Sequence, residues 1–159
     1  CVDTCTLLSP GEGMLVGNSS NFLFLVHSET VESEYCATRP FRVNAGAVHM
    51  YALLANNKTK YLSEVASGDE ILAVNHNGDT RTVIVGRNKI EERPLIFIEA
   101  EVEGKRSGAI IQNAETIRLV TKGGKAISVS DLNEGDKVLV KTDEQGRHFG
   151  QAIDEQVKE

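Results

Sequence analysis

With 159 residues the chain has room for one domain or two small ones, and it is short for a complete dinucleotide-dependent enzyme. Seventeen basic residues against twenty-three acidic ones give a net charge of −6 without a block of like charges, which argues against nucleic acid or an anionic membrane as partner. No apolar run approaches the roughly 20 residues of a membrane span, and the opening CVDTCTLLSPGEG lacks the basic and apolar regions of a signal peptide, so a cytosolic, cytoplasmic protein is expected.

Gly, Asn and β-branched residues interrupt almost every window of helical length. The expected fold is therefore mainly β, with short antiparallel strands forming a small barrel or sandwich and one short helix. In chain order, GMLVG and NFLFLVH are apolar runs separated by NSS, which predicts a hairpin whose second strand, Phe22 to His27, is buried on both faces. Ser28 to Ala37 is the helix candidate, because Ser28 can cap and Glu29, Glu32 and Glu34 suit the positive end of the helix dipole. Pro40 stops it. From Arg42 to Tyr51 the alternation predicts a strand, followed by the turn-forming ANNKTK.

Further on, LSEVASGDEIL at 62–72 returns as VSDLNEGDKVL at 129–139, and of eleven paired positions four are identical and four more are conservative. Each copy has a Gly-Asp corner, a strand and a glycine-containing turn, NHNGDT in the first and DEQGR in the second. An internal duplicated β-unit is expected, since one unit alone cannot bury its apolar face, the alternative being that Gly-Asp before a strand is ordinary loop grammar. Leu95 to Val102, Gly108 to Gln112 and Glu115 to Val120 supply strands between the copies. A boundary near Asn57 divides residues 1–56, which carry the candidate polar groups, from a duplicated barrel-like region at 57–159.

Several polar groups suit chemistry. Arg39 and Arg42 in RPFRVNAG can grip a carboxylate or phosphate, although pairing with the upstream glutamates would also explain them. Asn44 and Gly46 are unusual in a strand, and such a glycine marks close approach by a ligand or another backbone. His27, His49, His76 and His148 are possible proton carriers: His76 is expected to be solvated, His49 shares the Arg42 segment, and the repeat could carry His148 to the same place. His27 and Glu29 could orient one another or meet a metal, but no metal-binding histidine spacing supports this. Lys58, Lys60 and Lys89 are candidates for a tuned base; Gln112, Asn113 and Glu115 read as a turn. Cys1, Cys5 and Cys36 are an odd set without a C-x-x-C pair, expected as reduced thiols. GEGMLVG fails as a dinucleotide fingerprint, because its last glycine is misplaced and no helix follows.

CVDTCTLLSPGEGMLVG, FLVHSE, RPFRVNAGAVH, KTKYLSEVASGDEILAV, VGRNKIEERPL, QNAETIRLV and GRHFG together resemble the C-terminal half of the archaeal-type 3-dehydroquinate synthase, dehydroquinate synthase II. The resemblance implies a missing N-terminal half of the same enzyme, in keeping with a first residue that is not Met. It also implies an NAD-dependent oxidoreductase of aromatic amino-acid biosynthesis. That enzyme converts 2-amino-3,7-dideoxy-D-threo-hept-6-ulosonic acid, a small anionic amino-ketone, to 3-dehydroquinate. The chemistry needs a carboxylate clamp, for which Arg39, Arg42 and Asn44 are the candidates. It also needs a base, His49 or its rival Lys60, with His27 and Glu29 orienting it or holding a divalent metal. The same resemblance admits a metal-dependent aminohydroxybenzoate synthase acting on a phosphorylated amino-ketone, and a non-catalytic β scaffold stands beside both.

Overall fold

A computed structural model describes residues 1–34 and 37–142. These residues form thirteen strands in chain order: β1 (Val2–Thr4), β2 (Glu12–Ser19), β3 (Phe22–His27), β4 (Arg42–Val43), β5 (Tyr51–Leu53), β6 (Thr59–Tyr61), β7 (Glu70–Asn75), β8 (Thr80–Asn88), β9 (Leu95–Val102), β10 (Lys105–Gln112), β11 (Arg118–Val120), β12 (Ala126–Ser128) and β13 (Val140–Thr142). Among the described residues the only helical pieces are 3₁₀ turns at Leu62–Glu64, Lys122–Gly124 and Val129–Asp131. One antiparallel sheet runs β12-β11-β3-β2-β7-β8-β1-β4, with β13 added to β3 and the β5–β6 pair added to β2; β9 and β10 form a separate hairpin. No helix among the described residues is long and apolar enough to cross a membrane.

The hairpin β2–β3 is the centre of the fold, and β3 is buried at every position. Its alternation divides the side chains between two clusters: Phe22, Phe24 and Val26 enter the main core, while Leu23 and Leu25 enter a second one. A strand apolar on both faces is thereby satisfied on both, as FLFLVH implies.

The duplication, offset by 67 positions, is a structural repeat. β5 and β6 of the first copy correspond to β11 and β12 of the second, and the turns Leu62–Glu64 and Val129–Asp131 correspond as well. The first copy attaches to β2 through Val16↔Ala52, and the second to β3 through Leu119↔Val26. In both, the Gly-Asp corner is closed in the same way. Asp69 Oδ2 accepts from the Ala66 N–H (2.9 Å) and Asp136 Oδ2 from the Asn133 N–H (2.8 Å). Gly68 and Gly135 hold φ of 93° and 96°, a region that favours glycine. Each copy thus covers one strand of the central hairpin. The DEQGR turn lies outside the described residues.

Two expectations are corrected. The described part of Ser28–Ala37 forms no helix, because its first amides are drawn to distant partners: Ser28 N–H to Glu12 O, and Glu29 N–H to Arg42 O (2.8 Å), with Arg39 N–H returning to Glu29 O. Long-range pairing overrides the capping pattern. The predicted strand from Arg42 to Tyr51 ends at Val43 and resumes at Tyr51, because the chain turns between Ala47 and Met50. Asn57 lies in the turn between β5 and β6, and strands on either side of it share the one sheet.

Candidate functional site

The break in that strand builds the site. Gly46 adopts φ of +127°, and a Cβ there would strike the Met50 Cε methyl and lie 2.8 Å from Ile110 O. Only glycine lets the loop press against β10, where the Ala47 N–H donates to Ile110 O (2.9 Å). The close approach expected at Gly46 is therefore that of another backbone. The loop forms one wall of a cleft of about 770 Å³, whose other walls come from β1, the Glu29–Arg39 bridge, the segment after β8 and the end of β10.

Of the seven residues given a role through the resemblance, five line this cleft, Glu29, Arg39, Arg42, Asn44 and His49, and Lys89, a candidate base, lines it as well. Their states differ. Arg42 is bound by Asp3, donating from Nε to Oδ1 (2.7 Å) and from Nη2 to Oδ2 (3.1 Å), and Arg87 adds a third bond to Oδ2 (2.7 Å). The partner of Arg42 is thus an aspartate on β1, placed opposite it by the register Asp3↔Arg42, and not the upstream glutamates. Burial would raise the Asp3 pKa, but the bonds from Arg42 and Arg87 outweigh it and hold the carboxyl below its ordinary value. Two guanidinium groups on one carboxylate leave an excess of positive charge beside the cleft. Arg39 is exposed and is in no ion pair among the described residues, so its fork is available. Burial raises the Glu29 pKa, against the opposing pull of Arg42 and Arg39, so this carboxyl keeps its proton to higher pH than an exposed one. Asn44 Nδ2 donates to Gln112 Oε1 (2.6 Å), tying the loop to β10, and His49 Nε2 lies 2.8 Å from Asn18 Oδ1.

The other two candidates lie elsewhere. His27 is buried and its ring is spent on the backbone: Nε2 accepts from the Gly11 N–H (2.9 Å) and Nδ1 donates to Ser28 O (2.6 Å). Burial lowers its pKa, which keeps it neutral. It has no nitrogen left for a metal or a substrate proton. Lys60 does not line the cleft; its Nζ bonds Asp69 Oδ2 (2.9 Å). Among the described residues no three His, Cys, Asp or Glu side chains are grouped to hold a metal ion, and no strand–turn–helix cradle for a dinucleotide occurs. His76, expected in solvent, packs against Gly11 and Gly124 with its Nδ1 buried. Cys1 and Cys5 are free thiols; Cys36 and His148 lie outside the described residues.

Sequence reasoning missed two members of the site. Asp3 carries no local signal, since only strand pairing brings it to Arg42. Gln112 was readable as a turn residue, and only its position at the end of β10 reveals its partner Asn44.

The family model described as the 3-dehydroquinate synthase II C-terminal domain matches residues 1–159. The chain is 62% identical to the 3-dehydroquinate synthase of Methanocaldococcus jannaschii and 60% identical to that of Methanococcus maripaludis, in each case over all of this chain and 44% of the relative. It is 58% identical to the 3-dehydroquinate synthase of Methanobrevibacter smithii, covering 43% of it. The chain spans less than half the length of these curated relatives. No solved structure matches it. A match through every residue, carried by relatives of about 60% identity, places the chain in the 3-dehydroquinate synthase II C-terminal domain family.

Proposed function

We propose that this chain is the substrate-gripping part of an NAD-dependent 3-dehydroquinate synthase acting on 2-amino-3,7-dideoxy-D-threo-hept-6-ulosonic acid. The observation that supports this reading is the convergence of Arg39, Glu29, Asn44 and His49 on one cleft, in a chain of this family. Bound NAD⁺ supplies the acceptor for the hydride that leaves the amine-bearing carbon.

Within this chain, the Arg39 fork receives the substrate carboxylate, and the excess charge of Arg42 and Arg87 over Asp3 favours an anion in the same place. Deamination and ring closure each need protons removed and returned. Glu29 is suited to this because its raised pKa brings the carboxyl closer to the working pH of a general acid–base group. His49, held through Asn18, is the second proton carrier. The Asn44–Gln112 amide pair fixes the loop that carries His49 and leaves amide groups for the substrate's hydroxyl and carbonyl oxygens.

The test is incubation of the full-length protein with the heptulosonate and NAD⁺. NADH and 3-dehydroquinate should appear together in equal amounts. Turnover of a phosphorylated amino-ketone in Mn²⁺, with no NADH formed, would refute the proposal.

A further inference from the structure

We propose that the outer face of the β9–β10 hairpin, together with the adjoining cleft rim, is the surface on which the preceding part of a full-length chain docks. Four apolar side chains are about half exposed there: Val48 (48%), Ile90 (60%), Leu95 (50%) and Phe97 (56%). Val48, Ile90 and Leu95 line the cleft, and Leu95 and Phe97 alternate on β9, so they share one face. Phe97 sits opposite Ile110, another cleft residue, and its ring covers Gly108, where a Cβ would collide with it. The patch is therefore continuous with the cleft. Ion pairs rim it, Arg93 with Glu91 and Arg106 with Glu101.

Backbone adds to side chain. Among the described residues β9 pairs with β10 alone, leaving one edge of an eight-residue strand open. Proteins cover or blunt such an edge when it is long and apolar, and a contiguous exposed apolar patch with a polar rim marks an interaction site.

The occupant follows from where the remaining chain must lie. The relatives carry more than half of their length outside the matched region, and that region is described as C-terminal. In such a chain the preceding segment joins at Cys1, and both Cys1 and Val2 line the same cleft. The preceding part thus departs from the rim of the patch, and docking there covers the mouth of the cleft. The inference is independent of the reaction assigned above.

The test is thiol labelling of the full-length protein with every native cysteine, Cys1, Cys5 and Cys36 among them, replaced by serine and a single new thiol introduced by Phe97→Cys, Leu95→Cys or Ile84→Cys. Ile84 is 46% exposed on β8 and does not line the cleft, so it serves as the exposed reference. In the native protein a maleimide should modify the first two variants at least tenfold more slowly than Ile84→Cys, and all three alike in denaturant. Native rates equal to that of Ile84→Cys would overturn the proposal. Protection that vanishes on dilution, with a matching fall in mass by light scattering, would assign the face to a second copy and also overturn it. Hydrogen exchange on the unsubstituted full-length protein gives an independent reading: β9 amides should exchange as slowly as those of β3, and rapid exchange along β9 contradicts docking.

Discussion

Replacing Asp3 with alanine removes the carboxylate that Arg42 and Arg87 share. The Arg87 side chain is 63% exposed, so its share is largely screened and worth at most about 1 kcal/mol. Arg42 sets the magnitude. Its side chain is 14% exposed and that of Asp3 is 5% exposed, and breaking a buried pair from one side costs about 3–5 kcal/mol. Attraction of Arg42 to Glu29 softens the loss, so a value near the lower end, about 3 kcal/mol, is expected. For a chain of this size that lowers Tm by about 6–12 °C. Thermal unfolding followed by circular dichroism at neutral pH measures it, and the Asp3→Leu/Arg42→Met double variant should recover much of the loss because the buried guanidinium leaves with its partner and the exposed Arg87 stays solvated. The pH dependence has a fixed sign. The folded pKa of Asp3 lies below its unfolded value, so its stabilisation is present above the ordinary carboxylate range and disappears as pH falls through the folded value. The gap between the parent and Asp3→Ala should therefore narrow in strong acid. A loss under 1 kcal/mol at neutral pH, or a gap that widens in acid, would refute the reasoning.

Three further outcomes are expected. Glu29→Gln should reduce kcat of the full-length enzyme by about 100-fold or more. It should also raise Tm slightly at neutral pH, because a raised folded pKa makes the ionised carboxyl a cost that grows above its unfolded pKa; a lower Tm with unchanged kcat would contradict both parts. Gly46→Ala should destabilise by about 1–3 kcal/mol through backbone strain and raise KM by moving the loop off β10, as steady-state kinetics and thermal melting would record. Lys60→Met should leave kcat/KM within about twofold of the parent, since the ammonium is held by Asp69 away from the cleft; a large loss would restore Lys60 as a base.

The strands were legible where apolar pattern and local turns agree. FLFLVH and PLIFIEAEV read directly as β3 and β9, and the repeat of Gly-Asp corners disclosed the two units that clasp the central hairpin. Local signals misled where distant backbone competed for the same groups. The capped, acidic Ser28 segment has a good helical start, yet its Glu29 amide and carbonyl are taken by Arg42 and Arg39. The alternation after Arg42 fits a strand, but Gly46 and the Ala47–Met50 turn divert it over β10. For the site, residue type identified the polar segment but could not distinguish a free fork from an occupied one. Arg39 and Arg42 look alike in RPFR, and only the β1–β4 register assigns Arg42 to Asp3.

The central claim is that the Arg39 fork, in no ion pair among the described residues, grips the substrate's carboxylate, and steady-state kinetics of Arg39→Gln in the full-length enzyme test it most directly. A charged hydrogen-bonding contact is worth about 1.5–3 kcal/mol, so kcat/KM should fall about 10- to 150-fold, chiefly through KM, with Arg39→Lys falling less. A kcat/KM equal to that of the parent for Arg39→Gln would contradict the account.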